Sequence, residues 1–536
     1  MMPSMTIDQF LLLGSIVIPA VVSLLLFSGL FRTKDSVQKL AYVAFLFPFL
    51  AGIILFFRFD HGIDGYAFEL RNSRMGLQEL KINFHLGLNG VSSPLFAMAG
   101  IVGLGAGLVA IHSGVDRLPL YLALLALMQS GLMGLFASVD LFFYYLFHEF
   151  ALIPTFIMIG IWGGRDRRNV ALEITIYLTF GALLSLGGLV ALNTFVDADS
   201  FDFPSLSKAL AESGIFESTK SKIFGLLLLG FGILVALFPF HTWAARGYET
   251  APTPVSMLHA GVLKKFGLYG LVQVAAPLLP EAAQEWSSLL LWLALGNVLF
   301  VGMVAIAQTN LKSMVGNGSV MHMGYCFLGV GVCSSLGASS AIMLMVAHGL
   351  SVSLMFLLTQ FIYRRTSTHE MSEMGGLAKQ APILACFFVA ASLATIGLPG
   401  FGNFWGEFGV FLSLGEQANN RIFLFLAALG IIISAIFGLR AVARVFFGPA
   451  SDELQTIERK TPLHDLNLTE MIPASVIMIA LLWIGLWPRT IAPRIDAEIE
   501  SRYESAEKIA SRNSILPCCP INDSNGSKST LLQPLD

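Results

Sequence analysis

Apolar runs of about 18 residues or more recur along the whole chain, each long enough to cross a bilayer as a helix. They include 10–31, 40–57, 118–137, 223–240, 289–307 and 472–487. Counting every such run gives roughly 14 spans. A backbone solvated by lipid must satisfy its own hydrogen bonds, which leaves helices or a closed barrel. The runs are continuous rather than alternating, and that decides for helices. Only 12% of the 536 residues are charged, against about 25% in a soluble domain. The sequence therefore predicts an all-α polytopic membrane protein. The first run lacks a basic leader and a cleavage site, so it reads as a span rather than a signal peptide.

If helix follows helix, the odd-numbered connections share one side of the membrane. They hold roughly twice the Lys and Arg of the even ones, which places them in the cytoplasm and the N-terminus outside. Two even connections are long. The first, 58–89, is mixed polar and compatible with a short hairpin; the second, 197–222, reads as a polar loop outside the membrane. Residues 494–512 suit a surface helix, and the end of the chain reads as disordered. Two segments, "FGILVALFPFHTW" (231–243) and "SLATIGLPGFGNFWGEF" (392–408), are apolar helices broken by Pro239 and Pro399. A proline removes a helix hydrogen bond and frees a carbonyl, tolerable at membrane depth only where protein or a water-filled cavity receives it. By the count they are spans 7 and 12. Their odd offset gives them opposite orientations, as in inverted repeats.

A charge at the bilayer centre costs at least about 2.5 kcal/mol and marks a functional site by default. The candidates are Glu149 (beside His148), Lys264 and Lys265 in "HAGVLKKFGLYG", His322, His348 and Glu407. One lysine could snorkel toward an interface; both doing so is hard, because adjacent helical residues point about 100° apart. Carboxylate, amine and imidazole groups on successive helices near broken helices suit a proton relay, since each can take and release a proton. No nucleophile–base pair, phosphate-binding loop, haem ligand pair or iron–sulfur cysteine set is present. No catalytic residue and no metal site are therefore expected in this chain. The cysteines at 326, 333, 386, 518 and 519 show no metal-ligand spacing, and the first three read as apolar packing. A net charge of −3 gives no argument for nucleic acid, and none is expected as a partner.

The segments "FHEFALIPTFIMIGIWGG", "APTPVSMLHAGVLKKFGLYGL", "QTNLKSMVGNGSVMHMG", "HGLSVSLMFLL", "LPGFGNFWGEF" and "DLNLTE" resemble the antiporter-like subunits of respiratory complex I (NADH–quinone oxidoreductase). The resemblance is to the chain M, or mitochondrial subunit 4, type and covers about 86–488. It implies 14 spans with two inverted five-helix repeats and helix breaks in spans 7 and 12. The divisions it implies are N-terminal helices and a polar loop (1–85), a proton-channel core (86–448), a C-terminal transmembrane helix (449–490) and a polar tail, partly disordered (491–536). It implies a proton relay of Glu149, Lys264, Lys265, His322, His348 and Glu407, with His241 and Lys312 in support. A carboxylate at 407 is similar to chain M, where sister chains and large Mrp subunits have lysine. The 48 residues after Pro488 are too few for the lateral helix and further span of chain L. No cofactor is expected in this chain; NADH, FMN, iron–sulfur clusters and quinone belong to partner subunits. The expected partners are the other membrane-arm subunits, especially two sister antiporter-like chains, in a bacterial inner membrane.

The chain also departs from the family pattern. A seventh-span lysine thought to pair with the fifth-span glutamate is replaced by Leu234, and "WAARGY" (243–248) puts Arg246 and Tyr248 where an acid and a histidine are usual. Asn89 replaces an acid before the third span. Two expectations follow for Glu149: either Lys264 supplies its cation, or the subunit is a non-pumping structural homologue. An Mrp-type cation/proton antiporter subunit and a membrane subunit of a related hydrogenase are the remaining alternatives.

Overall fold

A computed structural model describes residues 5–515 apart from 32, 61–64, 73–75, 214 and 461. The Cys518–Cys519 pair and the polar end lie outside the described residues. The described residues form a bundle of helices with one small hairpin. In chain order the first helices are α1 (Ile7–Phe27), α2 (Lys34–Arg58), α3 (Ser92–Ile111), α4 (Leu118–Ala137), α5 (Leu141–Trp162) and α6 (Arg167–Val196). Then come α7 (Phe203–Glu212), α8 (Glu217–Val235), α9 (Thr242–Thr250), α10 (253–278), α11 (Pro280–Ala307) and α12 (Leu311–Gly331). The last are α13 (Ser335–Thr366), α14 (Pro382–Ile396), α15 (Gly402–Glu416), α16 (Arg421–Phe446), α17 (Asp452–Lys460), α18 (Leu468–Leu486) and α19 (Ala492–Ile515). Eleven of these helices are long and apolar enough to cross a membrane, which bears out the polytopic α-helical class.

Burial sorts the helices. The apolar window of α13 is wholly buried and that of α3 nearly so, whereas α6 and α16 bury only 39% of theirs and turn the rest outward. α13 packs on α12, α15, α10 and α3, so the centre of the bundle is built from the helices that carry the interior charges. Every residue of α12 is buried. Its run "GNGS" lowers its apolar character, and small residues there let neighbouring backbones approach.

Both expected breaks are present. α8 ends at Val235 with Ala236 in the left-handed conformation, φ +70°. Leu237 N–H closes the end by donating to Gly232 O (2.8 Å). The groups freed around Pro239 are received by Asn297 of α11. Its Oδ1 accepts from Phe238 N (2.7 Å), and its Nδ2 donates to Ala236 O (2.9 Å) and to Val320 O of α12 (3.1 Å). Trp243 Nε1 donates to Ile233 O (3.2 Å). Protein groups therefore satisfy this break. α14 ends at Gly397, φ +85°, and α15 restarts beyond Pro399.

The 58–89 connection contains the hairpin: β1 (Ala67–Asn72) runs antiparallel to β2 (Phe84–Leu88), with Asn72 opposite Phe84. The 197–222 connection folds into α7, capped by Asp202. Asp140 caps α5 by accepting from Phe142 and Phe143 N–H, and also accepts from Asn83 N–H. Burial nonetheless raises its carboxyl to about 6. The helix expected over 494–512 is α19, and it is more than a surface helix: Ile495 and Ile499 are buried in the bundle. Of the three cysteines read as apolar packing, Cys326 is buried, Cys333 is half-buried and Cys386 is exposed. An apolar side chain gains nothing by hiding from lipid.

Candidate functional site

Lys264 and Lys265 are both buried, so neither snorkels. The helix makes this possible by widening. Residues 259–263 form a π-turn, in which Lys264 N–H donates to His259 O (2.9 Å). Such turns leave a carbonyl without its usual partner. Lys265 Nζ donates to Ala260 O (2.8 Å) in its own helix and lies 2.9 Å from His348 Nδ1 on α13. Lys264 Nζ turns the other way, donates to Ser319 Oγ of α12 (3.1 Å), and sits 5.3 Å above the Tyr248 ring. A hydroxyl and a cation–π contact are what a buried ammonium needs in place of water.

From Lys265 the polar groups continue. With Lys265 donating to His348 Nδ1, the imidazole carries its hydrogen on Nε2, which has no partner. The His348 and His322 rings are 5.9 Å apart. His322 Nδ1 lies 3.3 Å from Glu407 Oε1 on α15, in contact but not aligned as a hydrogen bond. Glu407 is buried, and its carboxylate lies against Gly397 at the second helix break. Ser319, His322, His348 and Ser392 border a cavity of about 20 Å³, room for about one water. The cavity runs past Met314 and Met355 toward the start of α12 and the end of α13. The structure thus brings five of the six expected relay residues together: Lys264, Lys265, His348, His322 and Glu407.

Glu149 is the exception, and the expected Lys264–Glu149 pairing is corrected. The Lys264 amine is committed to Ser319 and Tyr248, while Glu149 Oε1 lies 3.4 Å from His148 Nδ1. The Glu149 side chain is 26% exposed; that of His148 is buried. Neighbours on a helix diverge by about 100°, and the inward direction on α5 belongs to His148. Its ring stacks on Phe266 at 3.9 Å, directly after Lys265. Leu234 is buried among apolar residues and offers no charge in its place.

Three residues enter the site that sequence reasoning passed over. His259 is buried, stacks on Trp243 (5.5 Å) and meets the edge of Tyr248 (5.4 Å). Its signal was position, one widened turn before the lysines. Tyr248, read only as a departure, is the ring beneath Lys264. Ser319, one turn before His322, carried no signal. Of the two supporting candidates, His241 stacks on Phe238 (5.5 Å) beside Phe300, away from the relay. Lys312 is buried and donates from Nζ to Ala251 O, so it caps the C-terminal end of α9, where a cation is favoured.

A helical bundle with buried lysine, histidine and glutamate side chains, two broken helices and an exposed apolar rim defines an α-helical integral membrane protein. The chain belongs to the NADH:quinone oxidoreductase/Mrp antiporter transmembrane family, whose model matches residues 138–440. It is 32% identical over 504 residues to NADH-quinone oxidoreductase subunit M of Rickettsia bellii, covering 93% of this chain and 98% of that one. It is 31% identical over 464 residues to an NAD(P)H-quinone oxidoreductase chain 4 of Picosynechococcus, covering 83% and 84%. A chain of respiratory complex I from Thermus thermophilus superposes with a TM-score of 0.82 at 28% identity, covering 92% of this chain and 99% of that one. A chain of the Mrp complex from Dietzia shares the fold, with a TM-score of 0.80 at 17% identity over 95% of this chain and 99% of that one.

Proposed function

We propose that this chain is a membrane-arm subunit of an NADH–quinone oxidoreductase of the complex I type, and that it conducts protons between Lys265 and Glu407. Electron transfer in other subunits drives the movement. The observation that carries this reading is the buried sequence Lys265–His348–His322–Glu407, with contacts of 2.9 and 3.3 Å at its two ends and a cavity for water beside its middle. A proton taken by Lys265 passes through the imidazoles, each of which accepts on one nitrogen and donates from the other. Glu407 then receives it beside the second break. The names of the relatives support the assignment to the complex.

Fourteen spans fit this reading: the eleven long helices, α10, α12 and the broken α14–α15 pair, with α8–α9 as the seventh span. In this scheme the N-terminus is outside a bacterial inner membrane, and the core of inverted repeats covers 86–448. Partner subunits, two sister antiporter-like chains among them, carry the NADH, FMN, iron–sulfur and quinone chemistry. The Glu149–His148 pair favours a second reading of the first half of the core, in which Glu149 faces a neighbouring subunit or lipid and the loss of a lysine at Leu234 has left that half without its own gate.

Lys265→Ala in the purified complex, reconstituted in vesicles, tests the proposal. The expected result is a lower proton-to-electron ratio with assembly intact; an unchanged ratio removes Lys265 from the mechanism. The subunit list of the same preparation decides the assignment. Peripheral NADH-binding and iron–sulfur subunits support it, whereas small Mrp-type membrane subunits or nickel-site subunits overturn it.

A further inference from the structure

The relay uses only the first half of α10. In its second half, Tyr269 follows Lys265 by one turn and Gln273 lies inside a second π-turn at 271–275, about 12 Å along the helix from Lys265. Both are buried; Tyr269 Oη lies beside the Ser92 hydroxyl without aligning as a hydrogen bond, and Gln273 Oε1 makes none. Buried polar atoms in this state are uncommon and call for an explanation.

Gln273 opens onto a second cavity. Its Nε2 donates to Tyr66 Oη (3.1 Å), and its main-chain carbonyl accepts from Arg502 Nη1 of α19 (3.1 Å). Arg502 pairs with Glu498 (2.7 Å), whose carboxylate also accepts from Asn89 Nδ2 (3.2 Å). Tyr66, Gln273, Glu498, Arg502 and Ser207 border a space of about 210 Å³, enough for several waters. It lies where α7, the hairpin connection and the end of α10 meet. The relay cavity lies toward the opposite end of the bundle, near Lys312 and the end of α13. The beginning of α10 is at that end too, since Thr253 Oγ1 bonds Gln360 of α13 (2.8 Å). Lys265 thus stands between two cavities that lie toward opposite ends of the bundle, one bordered by Ser319, His322 and His348 and the other by Gln273, Glu498 and Arg502.

We propose that Tyr269 and Gln273 form a proton lane from Lys265 to this vestibule, and that the Glu498–Arg502 pair of α19 forms its mouth. The inference rests on the reading of Lys265 as a proton carrier. The Lys265 ammonium gives a proton to Tyr269 Oη through a bridging water, while the phenol releases its own proton to a water held by Gln273 Oε1. One proton advances; only N–H and O–H bonds change, and no electron moves. Tyr66 and the ion pair keep the vestibule polar on the face that bears the hairpin, so protons reach bulk water there without passing Glu407.

Two experiments on the intact complex in vesicles test the lane. Gln273→Cys is exposed to a membrane-impermeant, charged thiol reagent from either face, with Ser501→Cys as a control and labelling read by the mass of this chain. Modification at 273 from the hairpin face alone supports the vestibule. A labelled control with 273 unmodified overturns it. Tyr269→Phe keeps the ring that packs edge-on against Phe136 (5.5 Å) and removes the hydroxyl. It should lower the proton-to-electron ratio, by less than Lys265→Ala does because the branch to Glu407 remains, with a full complement of assembled complex. A normal ratio in Tyr269→Phe beside a lowered one in Lys265→Ala ends the lane and leaves the relay standing. A normal ratio in Lys265→Ala overturns the relay reading and the lane with it.

Discussion

Gly397→Ala is the substitution whose consequence can be followed furthest. Gly397 ends α14 at φ +85°, and a Cβ placed there would lie 2.3 Å from Glu407 Oε2. Ordinary van der Waals contact begins near 3.4 Å, so the carboxylate must move by about 1 Å. The left-handed backbone adds about 1–2 kcal/mol for a residue with a Cβ. Because Glu407 Oε1 is already 3.3 Å from His322 Nδ1, a shift of that size opens the contact past direct proton transfer. Misplacing a reacting group by about 1 Å slows its step on the order of 100-fold. Purified complex carrying Gly397→Ala should assemble, melt a few degrees lower, and translocate fewer protons per electron. If the effect runs through Glu407, adding Gly397→Ala to Glu407→Gln should change nothing further in the ratio. A full ratio in the assembled single variant refutes the reasoning, as does an additive double variant.

Asn297→Leu should remove three hydrogen bonds, leaving Phe238 N–H and Ala236 O without partners and Val320 O with only its own helix bond. At about 0.6–1.7 kcal/mol per hydrogen bond in a membrane, the loss is about 2–5 kcal/mol, read as reduced thermal stability and yield of the complex. A wild-type melting curve would mean the freed groups find other partners. Asp140 concerns pH. Its carboxyl is raised to about 6 by burial, so the folded connection keeps its proton where the unfolded chain, near 4, has released it. Stability there should fall as pH rises from about 4 to 6, on the order of 3 kcal/mol. For Asp202, burial alone would raise the carboxyl, but bonds from Ser205 and Ser200 together with Arg71 lower it. Its contribution is therefore lost only below that window, as pH falls. Hydrogen exchange at the Phe142 and Phe143 amides, compared between the wild type and Asp140→Asn, reads the difference; a gap that does not vary between pH 4 and 6 contradicts it.

The helical class was legible because bilayer thickness imposes a length and apolarity that composition shows directly. The breaks were legible from Pro239 and Pro399, and the buried Lys264, Lys265, His322, His348 and Glu407 from charges that lipid would not tolerate. What was not legible was direction. Lys264 and Lys265 are identical in type, and only the π-turn at 259–263 and the positions of Ser319 and His348 assign them different partners. Asn297 looks unremarkable in an apolar run, and its role depends on carbonyls that come from two other helices.

By itself the sequence determined that this chain lives in a membrane, that two of its helices break there, and most of the ionisable groups its interior holds. These follow from local chemistry: a proline has no N–H to give, and a charge in lipid needs a reason. Tertiary structure alone decided that His148, not Glu149, points inward, that Glu149 has no lysine, and that Lys265 stands between two cavities. Each of these depends on helix rotation and on contacts between residues far apart in the chain. Rotation about a helix axis is set by the packing of its neighbours, which no short stretch of sequence contains.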